Sequence, residues 1–353
     1  MKLYATIAVR VQATEILRAP RFMDKLRRAF GGTPDLRTGT MRSAIEAAAV
    51  VEGVRDALRT VGATNAISLV IDETVLFHDR DGKPDDLGDL FLAFAENESV
   101  FGQGFDELRL AVEHREAGLH LVIEIQSRPV HARSAPAIRT VVSGRIEALT
   151  PRPGEDAESY RSRAEPVARD AQALEVYRLQ FEAFVERLRA AIAAAMPTAK
   201  AEVEAAEARV VRPEPERRPE ERERSQRPDA AGYDPYVAYY PSPLGFLPEM
   251  LMWSTLFSMA SPPHYVVVDH GNHIQGFADD PGIEHGATQA VADDGGSWWD
   301  NETAGADHSD GAHLAGDDFS SDGAGADGFS SDDFGGGDLG GGDFGGGFGS
   351  DDW

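Results

Sequence analysis

The chain has 353 residues, no cysteine and a formal net charge of −26; it is long enough for one large or two small domains and can hold neither disulfides nor thiolate metal sites. All 34 Lys and Arg residues lie at or before Arg227, whereas residues 231–353 carry 22 Asp and Glu and no base. A field of that sign repels nucleic acid and anionic membranes and attracts cations or basic proteins.

Residues 2–13 alternate apolar and mixed side chains and predict a strand. Arg10 interrupts this stretch before a signal-peptide apolar region forms. Residues 14–30 predict a helix, with Ile16, Leu17, Phe22, Leu26 and Phe30 near helical spacing and Gly31 and Gly32 at its end. Residues 41–61 predict a second helix from the stripe Ile45, Val50, Val51, Val54, Leu58 and Val61, with Gly62 as the stop. Residues 66–77 are β-rich and lead into the turn Asp79-Arg80-Asp81-Gly82, and residues 85–95 predict a short helix.

The clearest β pattern follows. Leu108, Leu110 and Val112 alternate with charged residues, Glu116-Ala117-Gly118 turns the chain, and Leu119, Leu121, Ile123 and Ile125 alternate with His120, Glu124 and Gln126. With a third run at 137–149 this predicts an antiparallel meander with one buried face. The fold class expected for residues 1–150 is α+β, a two-layer domain with an antiparallel sheet and packed helices.

Residues 151–211 predict a helical extension. Within it, residues 157–196 read as mostly one long helix, and Leu174, Tyr177, Phe181, Phe184, Leu188 and Ala191 follow the spacing of a coiled-coil seam. A seam this short is weak as a free coiled coil, so the helix is expected to dock on its own domain. Residues 212–230 alternate Glu, Arg and Pro and form a linker.

Residues 231–280 differ from both neighbours. Tyr233, Tyr236, Tyr239 and Tyr240 precede Pro241 and Pro243, and a dense apolar patch follows that needs burial on the head or on a partner. Phe246, Met250, Trp253 and Phe257 are its candidate partner-binding residues. Residues 281–353 form an acidic, low-complexity tail in which Phe-Ser-Ser-Asp recurs at 319 and 329, followed by five-residue Asp-Phe/Leu-Gly-Gly-Gly units. One apolar residue per unit cannot offset the entropy of ordering such a chain, so disorder is expected. The closing Gly-Gly-Gly-Phe-Gly-Ser-Asp-Asp-Trp is similar in composition to the Gly/Ser/Phe tails ending in Trp of several bacterial envelope-associated proteins, some with TPM domains. That resemblance implies no function for the head.

Four of the ten histidines fall between His264 and His285. His264, Asp269, His270 and His273 combine imidazole and carboxylate, the ligands a divalent zinc, nickel or copper ion prefers; a polar hairpin after the strand Tyr265-Val266-Val267-Val268 is the plainer account. Asp79 to Asp86 lacks the ligand pattern of a calcium loop, and the Gly-Asp units lack the nine-residue period of a calcium-binding β-roll. Gly102-Gln103-Gly104 is a turn rather than a phosphate loop, and no nucleophile elbow occurs. Glu113 and His114 beside the hairpin turn read as surface residues.

No catalytic residue can be named. The expected role is a non-enzymatic protein-interaction or scaffold protein, cytoplasmic, with a protein partner or self-association and no cofactor. Its runner-up is a metal-dependent protein using His264, Asp269, His270 and His273. The longest apolar run, residues 248–260, carries Glu249 and is too short to span a bilayer. It also lacks the basic face of an interfacial helix.

Overall fold

The computed structural model describes residues 1–10, 53–79, 107–128, 138–197, 199–213, 228, 230, 233–259 and 262–283. The expected helices at 14–30 and 85–95, most of that at 41–61, the loop after Asp79, the glycine turn at 102–104, most of the linker and residues 284–353 lie outside these residues.

Among the described residues nine strands form one sheet. In chain order they are β1 (Lys2–Arg10), β2 (Asn65–Ile71), β3 (Thr74–His78), β4 (Leu108–Glu116), β5 (Leu119–Ser127), β6 (Ile138–Ile146), β7 (Lys200–Val211), β8 (Val266–Val268) and β9 (Ile274–Phe277). The spatial order is β3-β2-β4-β5-β6-β1-β7-β8-β9, antiparallel except for the short parallel pair β7–β8. The fold is therefore α+β, with the expected β4–β5–β6 meander at its centre. Ala117 and Gly118 turn β4 into β5 with positive φ of 51° and 77°, the left-handed pair whose twist matches a two-residue hairpin. Asp72 and Glu73 do the same between β2 and β3, at 43° and 68°.

Among the described residues the sheet is accompanied by α1 (Ala157–Ala168), α2 (Ala171–Ala195), α3 (Pro235–Tyr239) and α4 (Leu247–Phe257). Residues 53–60 are helical as well. One face of the sheet is apolar. Leu3, Ile7, Leu110, Leu121, Ile123 and Val142 pack there with Leu58 and with Leu174, Phe181, Phe184 and Leu188 of α2. The seam expected to dock on its own domain does so. The other face carries Ile67, Ala111 and Val122 under Tyr236 of α3, surrounded by polar side chains.

Several expectations change. The single helix at 157–196 is two, because the Asp170 carboxylate accepts hydrogen bonds from the amides of Gln172 and Ala173 and so starts a new helix. Residues 200–211 are a strand, although their Ala and Glu content favours helix. The chain leaves α2 beside the free edge of β1 and pairs with it from Lys2 to Arg10, so tertiary pairing overrides local propensity. No boundary falls at residue 150, since β1 lies between β6 and β7. Residues 233–277 contribute α3, α4, β8 and β9 to the head. Residues 281–283 of the expected tail belong to the head, and Ile283 is buried in its apolar core.

Candidate interaction surface

The polar face of the sheet is built by alternation. Along β5, His120, Glu124 and Gln126 point away from the apolar core. Because β5 is central, all nine of its residues are buried, and polar groups there need partners from the chain itself. Residues 233–240 supply them.

Asp234 anchors this segment. It accepts hydrogen bonds from the Ser143 hydroxyl at 2.5 Å and from an Arg145 guanidinium nitrogen at 2.8 Å, with Lys2 Nζ at 3.5 Å. It also caps α3 by accepting the Tyr236 amide. Burial alone would raise its pKa, but Arg145, Lys2 and the Ser143 hydroxyl together hold the carboxyl below its ordinary value. The Arg145 guanidinium also lies over the Tyr236 ring, 4.5 Å from its centroid, a cation–π contact.

Two glutamates take the tyrosine hydroxyls. Glu124, fully buried, accepts from Tyr233 at 2.7 Å, from Tyr239 at 3.4 Å and from the Gln126 amide at 2.9 Å. Burial pushes its pKa up against these donors. Glu113 accepts from Tyr240 at 2.7 Å, Asn65 at 3.1 Å and Arg115 at 2.8 Å, and His120 Nε2 lies 2.9 Å away. His120, then Tyr240 and Arg115, draw Glu113 down to about 2 against its burial. His120 Nδ1 is 2.8 Å from the Tyr236 hydroxyl, so all four tyrosines engage the sheet. Glu113 is thus an anchor of the fold rather than a surface residue.

These carboxylates are occupied by donors from the chain itself. The arrangement is suited to holding residues 233–240 in one register, since buried polar groups that find partners across the sheet favour a single packing. Sequence reasoning missed it because alternating polar residues on a strand read as solvated. The one sequence signal was the run of tyrosines, whose hydroxyls need partners when buried.

The predicted partner-binding residues lie on or beside α4, which packs on α1 and β7. Met250 and Trp253 are 8% and 4% exposed, Trp253 packs on Phe257 with centroids 4.2 Å apart, and Phe246 meets the His270 ring edge-on at 4.4 Å. Trp253 thus belongs to the head's apolar core and Phe257 packs against it.

The predicted metal ligands do not converge. His264 stacks on Phe277 and bonds Asp279 at 2.9 Å. Asp269, in the turn between β8 and β9, accepts the His273 amide at 2.9 Å and faces its ring Nδ1 at 3.1 Å. Among the described residues no group of three or more His, Asp or Glu side chains is placed to hold a metal ion. Asp269 to His273 lie in the turn of the β8–β9 hairpin.

A different feature is open. β7 pairs with β1 along its length but with β8 only at residues 209–211. Among the described residues, nothing pairs with residues 200–208 on the side away from β1. A groove of about 290 Å³ runs beside this edge, lined by Ala206 and Ala208 of β7, Arg178 and Glu182 of α2, and Ile274 and Phe277 of β9. Ile274 and Phe277 are 59% and 38% exposed. Unpaired backbone donors and acceptors beside exposed apolar side chains are the two components of strand addition.

Among the described residues no helix is long and apolar enough to cross a membrane. No family model matches the chain, and neither does any curated protein or solved structure.

Proposed function

We propose that this chain is a non-enzymatic protein-interaction module whose binding edge is the open flank of β7 beside the β8–β9 hairpin. The observation that carries this is the edge at residues 200–208, unpaired among the described residues, next to the exposed Ile274 and Phe277. A long open strand edge invites pairing unless it is covered, and a ligand strand would gain main-chain hydrogen bonds from β7 and side-chain contact from β9. The tyrosine lock supports the same role. It ties residues 233–240 to the sheet, and these begin the segment that continues through α4 into β8 and β9. The acidic stretch beyond residue 283 would add solubility and weak contacts through its phenylalanines.

Selection of extended peptides from a displayed random library on the full chain tests this. Bound peptides are expected to slow amide hydrogen exchange at residues 200–208 and to lose binding in the variant Ile274→Asp/Phe277→Asp. Selected peptides that protect another region, or bind this variant unchanged, would overturn the assignment.

A further inference from the structure

We propose that the strand received by the open edge of β7 is β7 of a second copy, so that two chains join their sheets antiparallel about a two-fold axis between Val203 and Glu204. The inference rests on the proposed binding role of this edge and names its partner.

A two-fold antiparallel pair must set residues of the same sheet face opposite each other. In a regular strand an axis between two consecutive residues violates that rule, because neighbours point to opposite faces. β7 is not regular. Its pairing with β1 shifts by one residue between Thr6 and Ile7, where Ala205 faces Thr6 and Val203 faces Ile7. The extra residue, Glu204, restores the match. Lys200 and Glu202 come onto the same face as Ala205 and Glu207, and Ala201 comes onto the same face as Ala206.

The register then follows. Lys200 of each copy stands opposite Glu207 of the other, Ala201 opposite Ala206, and Glu202 opposite Ala205. Opposite charges directly across a ladder stabilise the pair and like charges oppose it. Sliding the second copy by two residues so that Glu202 faces Glu207 replaces the attraction with repulsion, so charge selects the register. Glu207 lines the groove and bonds the Arg209 guanidinium at 3.0 Å, so the incoming lysine joins that pair. On the α2 face, Ala201 and Ala206 are small enough to leave room for the two backbones to approach.

The experiment measures the oligomeric state of the full chain by sedimentation equilibrium and native mass spectrometry across a concentration series. The wild-type chain is expected to dimerise. Lys200→Glu sets two Glu–Glu pairs across the axis and Glu207→Lys sets two Lys–Lys pairs, so each variant alone should dimerise about tenfold more weakly or worse. Mixed together, the two variants restore both opposite-charge pairs and should form a heterodimer at near wild-type strength. A variant that merely unfolds cannot give that rescue.

A wild-type chain that stays monomeric at high micromolar concentration, variants that dimerise like wild type, or a mixture with no heterodimer would each overturn the inference. The peptide selection separates the two proposals. Peptide binding at residues 200–208 of a monomeric chain removes the second copy as partner and leaves the binding edge standing. Failure of both peptide and copy to occupy the edge removes both.

Discussion

The two faces of the sheet are held by different physics. On the face covered by α2, burial is apolar and redundant: Leu3, Ile7, Leu121, Ile123, Phe181, Phe184 and Leu188 share one core, and each adds transfer free energy in rough proportion to its area. On the face covered by α3, few apolar residues are present, and the segment is held by the carboxylates Asp234, Glu124 and Glu113. An apolar layer tolerates repacking, whereas a buried polar network is stable only when its members are all satisfied. The first face supplies stability, and the second fixes where residues 233–240 lie.

That contrast can be broken by substitution. The largest effect is expected at Phe181→Ala on the apolar face, about 3–5 kcal/mol from the lost transfer energy and the cavity, read by chemical denaturation. The loss should be global, with amide exchange accelerating across β1, β5 and β6 together.

Asp234→Ala comes next. It leaves Arg145 and Lys2 without their carboxylate in a buried setting, which costs about 3 kcal/mol. Here the accelerated exchange should be concentrated at residues 233–240, with the apolar core retained. A uniform loss like that of Phe181→Ala would show that the polar face is no separate lock.

The smallest effect sharpens the comparison through pH. Glu113 is held at about 2, below the ordinary glutamate value of about 4.3. Its stabilisation is therefore present above the unfolded value and is lost as pH falls from about 4.3 towards 2. Glu124 has a raised pKa, so its protonation favours the fold, and it opposes the acid loss. Tyr240→Phe should cost about 1 kcal/mol at neutral pH and move the Glu113 titration upward, followed by its carboxyl NMR shift. Denaturant midpoints of Glu113→Gln measured along a pH series should show a flatter acid limb than wild type. An unchanged limb would mean that Glu113 carries no folded-state charge interaction.

Much of the apolar face was legible beforehand. The alternation in β4 and β5, the Ala117-Gly118 turn and the stripe on α2 are local patterns, and local patterns survive folding when the surroundings agree with them. The extent of the head was not legible. β7 is rich in Ala and Glu and reads as helix; it becomes a strand because β1 offers an open edge directly after α2. The polar lock was hidden for another reason: Tyr233 meets Glu124 across 109 positions and Tyr240 meets Glu113 across 127. No spacing rule reaches that far.

By itself the sequence determined the α+β class, the central meander, the docking face of α2 and the division between a balanced head and an acidic, base-free stretch, because composition and short-range periodicity encode these. Only the tertiary structure decided that residues 233–277 complete the sheet, that four tyrosines are tied to it by two glutamates and a histidine, and that among the described residues the flank of β7 at 200–208 is unpaired. Those features depend on which strands become neighbours, and strand adjacency is set by the packing of the whole chain rather than by any one segment.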